Sequence, residues 1–258
     1  MISIIITSFK EPKTIGKAIE SFLNQKIEKY ELIVTSPDKE TLDIARSYSR
    51  KYKQIKVFQD PGKGKSLALN LLLPKVKGRI IILTDGDVYT GSDSVNEILE
   101  KFKDKKTGCV SGRVVSRDSK GNLLGFWSHL LCYSAHILRK ERYEKNAFLE
   151  CSGYLWAFRN NIIKSFPIDA AEDTIVPFLF YEKGYKIAYS EKASVYVKFP
   201  TSLIDFVKQK KRTALSHETL GKYFKMPLPR MKTFSNEILG SFIVLSYPKT
   251  IKEFVFTL

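Results

Sequence analysis

What most constrains this chain is an alternation in its first third. Short, β-branched apolar runs at Ile2–Thr7, Tyr30–Thr35, Ile55–Gln59 and Arg79–Leu83 are separated by amphipathic stretches. The first stretch carries Ile15, Ala18, Ile19, Phe22 and Leu23 at three- and four-residue spacing, and the second carries Leu42, Ala45, Tyr48 and Tyr52. The third is the segment Ser66–Leu73. Near-continuous β-branched runs describe strands buried on both faces, as in a parallel sheet. Strand, helix, strand in repetition calls for right-handed crossovers and a mostly parallel α/β sheet flanked by helices. The loops after the four strands then gather along one edge, where open α/β sheets bind ligands. Those loops are Thr7–Glu11, Ser36–Asp38, Asp60–Lys65 and Asp85–Asp87.

The fourth strand runs directly into Asp85-Gly86-Asp87. Two carboxylates one residue apart at the mouth of a buried strand repel each other and lose hydration, so they call for a cation or a donor-rich partner. Oxygen ligands suit a hard divalent ion, Mg2+ or Mn2+, which in turn holds phosphates. Gly86 leaves room for a ligand to approach the backbone closely. The competing reading is an Asp-Gly turn.

The second half is less regular. Ser94–Phe102 reads as a helix, Gly108–Ser116 and Gly153–Arg159 as strands, and Thr174–Lys183 as a helix headed by Glu172-Asp173. Lys186–Tyr189 and Ala193–Val197 read as two short strands, and Ser202–Phe224 as a basic amphipathic helix. Leu123–Leu138 is uncharged throughout and reads as a core helix, with an apolar surface for lipid or a partner as the other possibility. The expected organisation is a catalytic domain over 1–224 and a basic, apolar segment over 225–258. That segment either lies on an anionic membrane, where apolar residues and cations cooperate, or packs on the domain.

Lys and Arg number 43 against 27 Asp and Glu, a formal charge of +16, which points to an anionic partner. The cations are dispersed rather than interleaved with aromatics on one face, which argues against nucleic acid. Cys109, Cys132 and Cys151 form no Cys-x-x-Cys pair, so neither a zinc site nor a disulfide framework is expected. No leader peptide is read before the first strand, and no run is apolar for the ~18 residues a membrane span needs. The expected location is the cytoplasm, with peripheral contact at the inner face of the cell membrane left open.

Taken together, the residues resemble family 2 glycosyltransferases of the GT-A fold. The likeness rests on the Thr7-Ser8-Phe9-Lys10-Glu11-Pro12 loop, the loop ending in Asp38, and Gly62-Lys63-Gly64-Lys65 leading to Asn70. It continues through Asp85-Gly86-Asp87, Glu172-Asp173 and Gln209-x-x-Arg212. The last two resemble the Glu-Asp and Gln-x-x-Arg-Trp signatures of the branch with cellulose and hyaluronan synthases and lipid-linked glycosyltransferases. Thr213 stands where that branch has Trp, so processive synthesis is not implied, and Ser36-Pro37-Asp38 replaces the more usual Asp-Asp loop.

The resemblance implies inverting, metal-dependent transfer of a sugar from a nucleoside-diphosphate sugar to an acceptor hydroxyl or lipid phosphate. It makes Asp173 the base, with a helix N-cap as its other role. Asp87 and Asp85 become metal ligands, Asp85 also touching ribose. Thr7, Ser8, Glu11, Asp38 and Lys65 line the nucleotide, while Arg212, Gln209, Glu172, Ser152 and Gly153 meet diphosphate, sugar or acceptor. The acceptor is then a carbohydrate or a polyprenyl or other lipid. A nucleotidyltransferase is the alternative enzyme, but it typically places a Gly-rich cationic loop after strand one, where Ser8–Glu11 stands. A basic nucleic-acid-binding protein is the non-enzymatic alternative.

Overall fold

The computed structural model describes residues 1–224 and 243–257. Much of the expected membrane segment, residues 225–242 and Leu258, lies outside the described residues. Eight strands form one sheet in the order β3-β2-β1-β4-β7-β6-β8-β5. They are β1 (Ile2–Thr7), β2 (Tyr30–Ser36), β3 (Ile55–Gln59), β4 (Ile80–Asp85), β5 (Tyr89–Thr90), β6 (Thr107–Ser116), β7 (Leu155–Arg159) and β8 (Lys186–Val197). Strands β3, β2, β1 and β4 are parallel, as the alternation predicts. β7 enters antiparallel between β4 and β6 and makes the sheet mixed.

The helices are α1 (Ile15–Leu23), α2 (Lys39–Lys51), α3 (Lys65–Leu72), α4 (Ser94–Lys101), α5 (Leu123–Glu144), α6 (Glu172–Glu182), α7 (Leu203–Thr219) and, at the end, α8 (Ile251–Thr257). Alternate strand residues feed two apolar layers. Ile5, Ile33, Ile81, Leu83, Trp156 and Phe158 pack with α3 and α6 on one face. Ile4, Ile6, Leu32, Val34 and Ile82 pack with α1, α2 and α4 on the other. Both faces being covered is why these strands tolerate no polar alternation.

Three boundaries differ from expectation. The two strands read at 186–197 are one strand, broken in register opposite Gly112 and Arg113, so that polar Glu191 and Lys192 bulge outward. The basic helix ends at Thr219 and closes in a 3-10 turn over Leu220–Lys222. The uncharged helix continues to Glu144. Phe126, Leu130 and Cys132 face the interior, while Trp127 is covered by the chain's own helices, against Phe206 of α7 and donating from Nε1 to the Phe256 carbonyl of α8. The described end of the chain therefore packs on the domain.

Candidate active site

The site is assembled at the carboxyl ends of β1 and β4, where the register places Thr7 beside Asp85. Thr7 Oγ1 donates to Asp85 Oδ1 at 3.0 Å, and Lys65 Nζ, at the start of α3, reaches the same oxygen at 2.7 Å. The Lys65 ammonium also meets Glu172 Oε1 at 2.8 Å, so it bridges the strand end to the head of α6. Burial works against this charge, but Asp85 and Glu172 outweigh it and hold the ammonium far above the ordinary lysine range. The preceding Gly62 and Gly64 take φ of 68° and 102°, left-handed values that glycine adopts without strain and that turn the loop into the helix.

Gly86 is enclosed by the protein itself. A Cβ there would stand 2.4 Å from Ser8 Oγ and 2.5 Å from Glu11 Oε2. The space expected for a ligand at Gly86 is taken instead by the β1 loop, because Glu11, which accepts from Ser8 Oγ at 2.5 Å, is drawn beside the acidic pair. Burial pushes the Glu11 carboxyl from 4.5 up to about 7, with Asp87 and Asp85 adding to the effect. Asp87 is raised too, by burial first and Asp85 second, with Arg117 opposing.

Asp38 is committed locally. Its carboxylate caps α2 by accepting from the Thr41 backbone N–H at 2.9 Å and also accepts from Ser36 Oγ and the Lys10 backbone. Burial opposes its ionisation, but these hydrogen bonds hold the carboxyl far below the usual range. It still fixes the loop that carries Glu11.

On the far side, α6 begins at Glu172 with Ala171 in the cap position and no side-chain cap. The other role weighed for Asp173, a cap for this helix, does not hold, since Asp173 lies one residue inside the first turn. Its Oδ2 points toward Gly153, where a Cβ would stand 2.7 Å away. Its carboxyl is raised to about 7, by burial first and then by the Glu172 carboxylate, while Lys65 pulls the other way. Ser152 is buried, with its backbone N–H donating to Ser111 Oγ at 3.0 Å. On α7, Gln209 donates to the Tyr154 hydroxyl at 3.3 Å, while Arg212 is exposed.

Sequence reasoning missed Tyr154, Arg117 and Ser66 as structural parts of this rim. Burial, and then Asp85 and Asp87, push the Tyr154 hydroxyl up to about 12. Arg117 lies over the Tyr89 ring at 4.2 Å and offsets the charge of Asp87. Nothing in local sequence distinguishes Arg117 among 43 cations. A cavity of about 400 Å³ walled by Tyr143, Phe148, Tyr181 and Tyr185 lies elsewhere, at the start of β8.

The donor set fits a hard divalent cation. Asp85 is compensated by Lys65 and Thr7, while Asp87 and Glu11 are raised first by burial and then by the neighbouring carboxylates, a repulsion that a divalent cation would relieve. Among the described residues no group of three His, Cys, Asp or Glu is set to hold a metal alone. The remaining ligands would be phosphate oxygens and water, the usual pattern for Mg2+ sites.

A mixed sheet whose central strand ends in an acidic pair, faced by a carboxylate at a helix head, defines a GT-A α/β protein. The chain belongs to glycosyl transferase family 2, whose sequence model matches residues 3–166. It is 26% identical over 237 residues to a poly-β-1,6-N-acetyl-D-glucosamine synthase of Staphylococcus aureus, covering 86% of this chain and 56% of the relative. It is 30% identical over 135 residues to a β-monoglucosyldiacylglycerol synthase of Nostoc sp., covering 49% of this chain and 28% of that protein. The chain thus spans about half the length of the first of these relatives. In fold it resembles a mannosyltransferase of Pyrobaculum calidifontis solved with GDP-Man and Mn2+, with a TM-score of 0.70 at 17% identity, covering 99% of this chain and 72% of that one. It also resembles S. aureus TarS 1-349 solved with UDP, with a TM-score of 0.56 at 18% identity, covering 84% and 65%.

Proposed function

We propose that this chain transfers a sugar from a nucleoside-diphosphate sugar to an acceptor hydroxyl, with inversion at the anomeric carbon. The observation that carries the reading is the Lys65 bridge, which joins the Asp85 strand end to Glu172 at the head of the helix that carries Asp173. Family membership and the nucleotide-bound relatives support the class of donor. Asp87 and Asp85 would hold Mg2+ or Mn2+, which neutralises charge on the departing diphosphate. Thr7, Ser8, Glu11, Asp38 and Lys65 shape the nucleotide end of the cleft. Ser152 and Gly153 floor the sugar side, and Gln209 and Arg212 close it from α7.

Asp173 takes the proton from the acceptor hydroxyl. The freed oxygen forms its bond to the anomeric carbon as the carbon–oxygen bond to the diphosphate breaks, and that electron pair leaves with the nucleoside diphosphate. A carboxyl raised toward neutrality by burial is suited to this exchange, because a base works best with its pKa near the working pH.

The acceptor we infer is a carbohydrate or a polyprenyl or other lipid at an anionic membrane surface. Leu203, Ile204 and Val207 stand exposed on α7 beside Lys208, Lys211 and Arg212, and Ile251 and Val255 stand exposed on α8 beside Lys252. No helix among the described residues is long and apolar enough to cross a membrane.

The test is melting temperature with Mn2+ and a panel of nucleoside diphosphates and nucleotide sugars, with single-stranded DNA as the contrast. One nucleotide series should stabilise the fold by mass action, about 2.7 kcal/mol at a hundredfold excess over Kd. Asp87→Ala should abolish that gain. Stabilisation by DNA alone, or an undiminished gain in Asp87→Ala, would overturn the assignment.

A further inference from the structure

We propose that α3 couples the two sides of this cleft, with Lys65 as the positioning residue that ties the placement of Asp173 to the occupancy of the acidic pair. The stretch from the end of β7 to α6 has no strand partner and no side-chain cap where the helix starts. Beside Asn160, which donates to the Gly78 carbonyl, and Asp169, which meets Lys222 and Tyr223, polar side chains of one short helix hold its end nearest α6. Asn70 accepts from the Phe166 backbone N–H at 2.7 Å and donates to the Phe166 carbonyl at 2.8 Å. Ser66 Oγ donates to the Ala170 carbonyl at 3.0 Å, and Lys65 Nζ meets Glu172 Oε1 at 2.8 Å. These bonds land on residues 166, 170 and 172, so α3 sets the depth and orientation at which Asp173 arrives.

The same ammonium sits 2.7 Å from Asp85 Oδ1, an oxygen that also accepts from Thr7. A divalent cation drawn to Asp85 is repelled by an ammonium at that distance, and a diphosphate beside it offers the ammonium a rival anion. Occupancy of the donor side therefore redistributes Lys65 between Asp85, Glu172 and phosphate, and the head of α6 feels the change through Glu172. Coupling of this kind needs a physical element that both sites bias, and α3 is that element. Its consequence is order: the acceptor base is set in place when the donor side is filled.

The proposal rests on Asp173 as the base for its catalytic meaning, but its mechanical part stands apart from the chemistry. Backbone hydrogen exchange over residues 166–173 is measured for the wild type, Lys65→Met, Lys65→Arg and Asn70→Ala, each free and with Mn2+ plus UDP or GDP. In the free proteins, Lys65→Met and Asn70→Ala should exchange faster in this stretch, with Lys65→Arg near wild type. Adding Mn2+ and the nucleotide, at a concentration that saturates each protein, should change exchange there in the wild type and leave it unchanged in Lys65→Met. In transfer assays Lys65→Met should lose about tenfold or more in kcat, with a smaller change in donor KM, and Lys65→Arg should restore most of it. Wild-type exchange over 166–173 in free Lys65→Met would overturn the coupling. So would a loss confined to donor KM, which makes Lys65 a donor contact only. Should neither nucleotide bind the wild type, the proposed function falls, while the free-protein comparison still decides whether Lys65 positions α6.

Discussion

At the scale of single residues, the site is defined by which carboxylates have partners. Asp85 has Lys65 and Thr7; Glu11 has Ser8 and the Phe9 backbone, no cation among the described residues, and lies beside two like charges. Between 4.5 and about 7 the folded protein keeps a proton on Glu11 that the unfolded chain has released. The stability from this group is fully present below 4.5 and is lost as pH rises through 7. Glu11→Gln should therefore flatten the fall in melting temperature across that window in metal-free protein. An unchanged slope would remove Glu11 as its source. Asp173 obeys the same sign for a different readout. As a base it works only when ionised, so kcat should rise with pH and level off above about 7. Asp173→Asn should keep nucleotide binding and lose about 10²–10⁴ in kcat. An active Asp173→Asn enzyme would assign the proton transfer elsewhere.

At the scale of elements, close backbone packing does what loops alone cannot. The turn that leads into β7 approaches α6 so tightly that a Cβ on Gly153 would meet Asp173 Oδ2 at 2.7 Å. Gly153→Ala should displace that carboxylate and lower kcat while the melting temperature changes little; a large loss of stability with kcat retained would contradict this placement. Asp38 is the opposite case, a cap first. Asp38→Ala should cost about 0.5–2 kcal/mol, the usual worth of an N-cap, read by denaturant unfolding. The two helix starts also show how far local sequence reaches. Asp38 stands directly before the amphipathic stretch that begins α2, the ordinary place for a cap. Asp173 carries the same chemistry at a comparable place, yet α6 starts one residue before it, because Lys65 and Ser66 hold Glu172 and Ala170 from another helix.

For the molecule as a whole, the excess of cations gathers meaning only where apolar residues stand exposed beside them. Helices α7 and α8 both rest on Trp127 and turn Leu203, Ile204, Val207, Ile251 and Val255 outward. The protein should sediment with vesicles containing phosphatidylglycerol, weakly with neutral ones, and less as salt rises, since exposed charge is screened over about 10 Å at 0.1 M. Replacing Ile204 and Val207 by Ser should weaken sedimentation without changing nucleotide binding. Equal binding to neutral and anionic vesicles would remove the electrostatic part of that reading.

The sequence by itself determined the parallel half of the sheet, the edge where the loops meet and the acidic pair at its centre. These follow from periodicity and from charges placed directly after buried strands, information that is local in the chain. Tertiary structure alone decided that β7 runs antiparallel into the middle of the sheet and that β8 is one bulged strand. It also decided that Lys65 joins Asp85 to Glu172, since a bond across 107 residues depends on where two helices come to rest rather than on any pattern within either.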